Sequence, residues 1–166
     1  MSVRIRDRNN IPNLTKELGS LAKRKIKAGI MGKNDMTMIA AVHEFGARIP
    51  VTDKMRAWFA AQGYPLRKET THIIIPERSF IRAGFDENER EFIKHARMVL
   101  IEAMAKGTPM DTVLDALGLQ LKGMIQTYMR DLSEPPLSKM TKAMTGRDNP
   151  LIHTGHLLRA IVHEVV

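Results

Sequence analysis

Apolar positions along the chain switch between two periods, and the switches mark out its elements. Leu14, Leu18 and Leu21 recur at helical spacing behind Asn10 and Pro12, predicting a first helix over about 12–24. Ile26, Ala28 and Ile30 then alternate with Lys27, Gly29 and Met31, predicting a strand over about 25–31, followed by a turn at Gly32–Asn34. Met36, Ile39, Ala40 and His43 form one helical stripe that ends at Phe45, with Gly46 placed to leave it in the left-handed region. Ile49-Pro50-Val51 reads as extended. Thr52 or Asp53 caps a short helix through Met55, Trp58, Phe59 and Ala60, and Gly63 ends it. His72 to Ile75 is a β segment stopped by Pro76.

The second half is helical. Asp86, Glu87 and Glu89 crowd a helix start, where the helix dipole favours negative charge. Phe92, Ile93, Ala96, Val99, Leu100 and Ala103 carry that helix to about 105, and Gly107 breaks it. Thr108 and Asp111 resemble a capping box for a second long helix, whose Val113, Leu114, Leu117, Leu121, Met124, Ile125 and Tyr128 share one face. Pro135 and Pro136 stop it. A short helix over 137–145, a Thr154-capped turn over 155–159 and a strand over 160–166 complete the chain. The expected fold is α+β in one domain over 1–166: a small, mostly antiparallel sheet of three or four strands packed with four to six helices, two of them long. Residues 1–10, where Arg4, Arg6 and Arg8 alternate with Val3 and Ile5, read as a basic arm or a short edge strand.

Composition narrows the function. With no Cys among the 166 residues, disulfides, thiolate metal sites and a Cys nucleophile are excluded. No apolar run approaches the ~20 residues that span a bilayer, and the charged MSVRIRDRNN start lacks a signal peptide's apolar region; the reading is a soluble protein with no membrane partner. Net charge is +8, and residues 1–50 carry most of it. Arg4, Arg6, Arg8, Lys23, Arg24, Lys25 and Lys27 are the candidate phosphate contacts. No aromatic precedes Phe45, so base stacking is not expected there, leaving non-specific DNA contact or a solvated basic face.

Catalytic patterns fail on inspection. Gly29-Ile-Met-Gly32-Lys33-Asn34 has two residues between its glycines where a phosphate loop has four, and Asn where that loop has Ser or Thr. His43-Glu44 opens like a zinc-peptidase helix, but Ala47 stands where the second His belongs. His153 and His156 share helical spacing, with His163 further on and few acids near; neither a metal site nor any other cofactor is expected. No serine lies in a nucleophile elbow. The expectation is a non-enzyme.

Three stretches, in order, carry a resemblance: Ile39-Ala-Ala-Val-His-Glu-Phe-Gly46, Ile75-Pro-Glu-Arg-Ser-Phe-Ile81 and Asn149-Pro-Leu-Ile-His-Thr-Gly-His-Leu157. Together they resemble the tail-completion or virion-morphogenesis proteins of tailed bacteriophages and prophages, over about residues 24–166. His153 departs from the family pattern, where Asp is more usual. The resemblance implies a structural protein of the head–tail junction or tail end, partnered by connector and tail proteins. It further implies a homo-oligomer, often a ring, located in the virion and assembled in the bacterial host cytoplasm. The alternative is a basic protein that contacts DNA without reading sequence. Arg78 and Phe80, two apart beyond a strand, read either as an interface anchor pair or as a core Phe with a charged lid. His43, Glu44 and Phe45 complete the candidate interface.

Overall fold

The computed structural model describes residues 11–32 and 35–166. The expected basic arm with Arg4, Arg6 and Arg8, the Asn10 cap and the Lys33–Asn34 half of the turn lie outside the described residues. In chain order the elements are α1 (Ile11–Leu21), β1 (Ile26–Ile30), α2 (Asp35–Phe45), β2 (Ala47–Pro50), α3 (Asp53–Ala61), β3 (His72–Ile75), α4 (Arg82–Asp86), α5 (Glu89–Lys106), α6 (Met110–Asp131), α7 (Lys139–Thr145), α8 (His156–Arg159) and β4 (Ile161–Val165). The fold is α+β, and its two long helices, α5 and α6, lie in the second half.

The four strands pair antiparallel, as two separate ribbons. In the first, β1 meets β4 from Ile26 opposite Val165 to Ile30 opposite Ile161, joining the first and last strands. Lys27 stands opposite Glu164 there, a favourable cross-strand charge pair. In the second, β2 meets β3 from Ala47 opposite Ile75 to Pro50 opposite His72.

Helix α6 lies against the first ribbon and also carries α4 and α5. Its buried residues, Val113, Leu114, Leu117, Gly118, Leu121, Ile125 and Met129, follow the three-and-four spacing of one helix face. One core cluster joins Ile125 and Met129 to Ala40, Phe80, Leu151, Leu157 and Ile161. A second packs Ala103 of α5 against Val113 and Leu117. Gly118 marks where α6 crosses the ribbon: a Cβ there would lie 2.5 Å from His163 Cδ2, so only a bare backbone fits.

Two helix starts differ from expectation. Thr108 does not cap α6; Pro109 occupies the N-cap without a side-chain bond, and Asp111 pairs with Arg24 at 2.7 Å. Gly155, at φ +72°, takes the α8 N-cap position in place of Thr154. Thr52 caps α3 as expected, its hydroxyl accepting from the Met55 amide.

Candidate functional site

The three sequence motifs meet in the main core, where Ala40, Phe80, Leu151 and Leu157 pack together, and the second ties to the C-terminal end of α2. Its apolar face places Ala40 and Glu44 one turn apart, and both are buried. A buried carboxylate needs partners, and Glu44 has four. Oε1 accepts from Ser79 Oγ at 2.6 Å and from the Arg82 amide at 3.0 Å. Oε2 accepts from the Phe80 and Ile81 amides, each at 3.0 Å. These amides open α4, whose own N-cap residue, Ile81, supplies no side-chain bond. Glu44 therefore caps α4 across a long sequence separation, with its negative charge at the helix's positive end. Burial pushes the Glu44 pKa up, but the Ser79 hydroxyl and the Ile81, Arg82 and Phe80 amides outweigh it and hold the carboxyl below its ordinary value.

Arg78 forms the second tie. Its amide donates to the His43 carbonyl at 2.7 Å. Its Nε donates to the Pro135 carbonyl at 2.6 Å and its Nη2 to the Pro136 carbonyl at 2.8 Å. The side chain thus clamps the end of the 76–81 segment to the loop between α6 and α7. Burial lowers the Arg78 pKa, and burial together with the Arg78 charge lowers that of His43.

These contacts revise the expected interface set. Phe80 is 0% exposed and sits in the main core, and Arg78 is 5% exposed with its donors committed to carbonyls inside the chain. Neither presents a side chain to a partner, so the pair reads as core and clamp rather than as an interface anchor. Glu44 is likewise internal, because its oxygens are taken by the α4 amides. His43 is half-buried. Phe45 alone of the five projects into solvent, at 68% exposure. The Arg82 guanidinium lies 5.7 Å from its ring centroid and pairs with Glu77 at 2.5 Å.

Beyond Phe45 the chain changes character. No residue from 45 to 77 is buried, although the stretch contains β2, α3 and β3. Gly46 turns the chain out of α2 at φ +71°, and a Cβ there would meet Ile75 O and Glu77 N, each at 3.0 Å. The ribbon register puts Arg48 opposite Ile74 and Pro50 opposite His72, so these four share a face; Arg48, Pro50 and Ile74 on it are exposed. Ile74 is 72% exposed and Trp58 of α3 is 52% exposed. Arg56 holds the loop between α3 and β3 by donating to the carbonyls of Arg67, Lys68 and Thr70. Sequence reasoning does not single out Ile74 and Trp58 as surface residues, because apolar side chains in strands and helices read by default as core.

The basic segment is at the surface. Lys23, Arg24, Lys25 and Lys27 are exposed, with Arg24 paired to Asp111. The tail histidines do not assemble: His163 reaches Asp115 at 2.9 Å, while His153 and His156 are exposed elsewhere. Among the described residues no group of three His, Asp or Glu is placed to hold a metal, and no helix is long and apolar enough to cross a membrane. Comparison with family models, with curated proteins and with solved structures finds no match to this chain.

Proposed function

We propose that this chain is a structural assembly protein of a tailed-phage or prophage particle, acting through protein–protein contacts at the head–tail junction or tail end as a homo-oligomer, with a ring as the arrangement. One observation carries the reading. Residues 45–77 contain no fully buried residue, yet expose Phe45, Ile49, Trp58 and Ile74. A two-stranded ribbon is marginally stable alone, and large apolar side chains left exposed on it offer a partner surface to cover. A segment so built gains its burial from a partner. The ordered motif triple supports the same reading, since two of its three stretches flank this segment and supply the buried ties, Glu44 and Arg78, that anchor both its ends.

Amide hydrogen exchange at low and high protein concentration tests it. Backbone amides between 45 and 77 are expected to gain protection as concentration rises, while those of α6 stay unchanged. Equal exchange in this segment at every concentration, with and without connector and tail proteins, overturns the reading.

A further inference from the structure

A cavity of about 330 Å³ lies between α2, α7 and the 147–157 segment. Its floor is apolar, formed by Met36, Ile39, Leu137, Leu151 and Leu157. Its polar wall is uniformly basic or donor-bearing: Arg147, His43, His153, His156, Thr141 and Thr154. Among the described residues no acidic side chain lines it. Asp148, next to Arg147 in sequence, is exposed and already paired with Lys142 at 2.9 Å, and Glu44, next to His43, is taken by the α4 amides.

Arg147 is the informative residue. A guanidinium is a permanent cation with only donors to offer. Arg147 makes no ion pair among the described residues, and its buried Nε has no hydrogen-bond partner; the buried Nδ1 of His43, in the same wall, has none either. Buried polar groups are nearly always paired, and the Arg147 Nε, a donor only, marks a place short of an acceptor; the His43 Nδ1 donates or accepts according to its tautomer. The Asn149 side chain accepts from the Leu151 and Ile152 amides and donates to the Arg130 carbonyl, fixing the loop that carries Arg147 and the rim histidines.

We propose that this cavity binds a carboxylate on a short apolar stem, with the carboxylate against Arg147 and the stem on the leucine-lined floor. A planar guanidinium matches a carboxylate in two parallel bonds. One permanent cation over an apolar floor suits a singly charged group with a hydrocarbon body better than a doubly charged phosphate. The volume, at the low end for ligand pockets, fits a group of side-chain size. Two sources share this chemistry, an acidic side chain of a partner polypeptide and a free small carboxylic acid.

The imidazole proton resonances of His153 and His156 report on the rim, and titrating the full chain with isovalerate and with its neutral isostere isovaleramide tests the site. Isovalerate is expected to shift them saturably, and isovaleramide to bind at least about tenfold more weakly. Arg147→Gln should weaken isovalerate by about tenfold or more. Should that variant fail to fold, as a thermal melt reveals, His156→Gln at the exposed rim is expected to reduce isovalerate binding several-fold. A second arm compares acetyl-Leu-Glu-Leu-amide with its Gln counterpart. A Glu peptide that outbinds isovalerate identifies a partner's acidic side chain, and an isovalerate that outbinds the peptide identifies a small molecule. Equal binding of acid and amide, or no saturable shift with either acid, overturns the proposal. None of these readouts depends on self-association, so the site and the assembly reading fail separately.

Discussion

Replacing Glu44 by Gln keeps the shape of the α4 cap and removes its charge. In the native chain the carboxylate accepts four hydrogen bonds, three of them from backbone amides that have no other cap. Hydrogen bonds to a charged group contribute about 1.5–3 kcal/mol each. The substituted side chain retains one carbonyl oxygen, able to serve two of the four donors as a neutral acceptor. Its amide nitrogen takes the place of Oε1, where it meets the Arg82 amide donor against donor while the Ser79 hydroxyl rotates to accept from it. The loss of the charge-assisted Arg82 bond and the weakening of the other three bring the expectation to roughly 2–4 kcal/mol. That is a large share of a domain stability of about 5–15 kcal/mol. The effect has a pH signature with a defined sign. The folded pKa of Glu44 lies below its ordinary value. Its contribution is therefore complete above the unfolded pKa and fades as pH falls through the folded one. Urea unfolding of wild type and Glu44→Gln, at pH 7 and then stepwise below pH about 4, should show a wide gap that narrows with acid. A gap under about 1 kcal/mol at neutral pH, or one that stays constant into acid, refutes the cap.

Arg78→Ala removes two carbonyl-bound donors from a side chain that is 5% exposed, and should lower the unfolding free energy by about 2–4 kcal/mol, read by urea melts at neutral pH; an unchanged midpoint contradicts the clamp. Gly46→Ala forces a Cβ into the left-handed region and against Ile75 O and Glu77 N, and should destabilise by about 2 kcal/mol or more in the same assay; a neutral effect contradicts the close approach.

Local periodicity suffices to find the long helices and the strands, because their apolar residues repeat within a few turns of chain. What it does not supply is pairing at a distance. In the sequence α4 merges with the start of α5, since most of its cap comes from Glu44, far away along the chain, and only the Ser79 hydroxyl, which accepts from the Ala83 amide, is local. The Thr108 and Asp111 spacing suggests a capping box, but Arg24 competes for Asp111. The strands give no sign that they split into two ribbons, because strand order is set by the packing of α6 against β1 and β4. At the site, the sequence places Arg78 and Phe80 just beyond a strand, where they are, but their side chains face the interior. One clue is legible in advance: Glu44 sits one turn from Ala40 on an apolar helix stripe, and a carboxylate there requires internal partners.

The central claim is that residues 45–77 are a docking segment, and mass in solution tests it most directly. Light scattering on wild type and Ile74→Asp, across a range of concentrations, separates the outcomes. Ile74 is 72% exposed, so the substitution leaves the fold and its melting temperature nearly untouched while replacing the exposed apolar side chain of the ribbon with a charge. The account predicts a wild-type mass that is a multiple of the 18.8 kDa chain, and an Ile74→Asp mass that falls toward the monomer. A wild type that stays monomeric at every concentration, or an Ile74→Asp protein that associates as well as wild type, contradicts it.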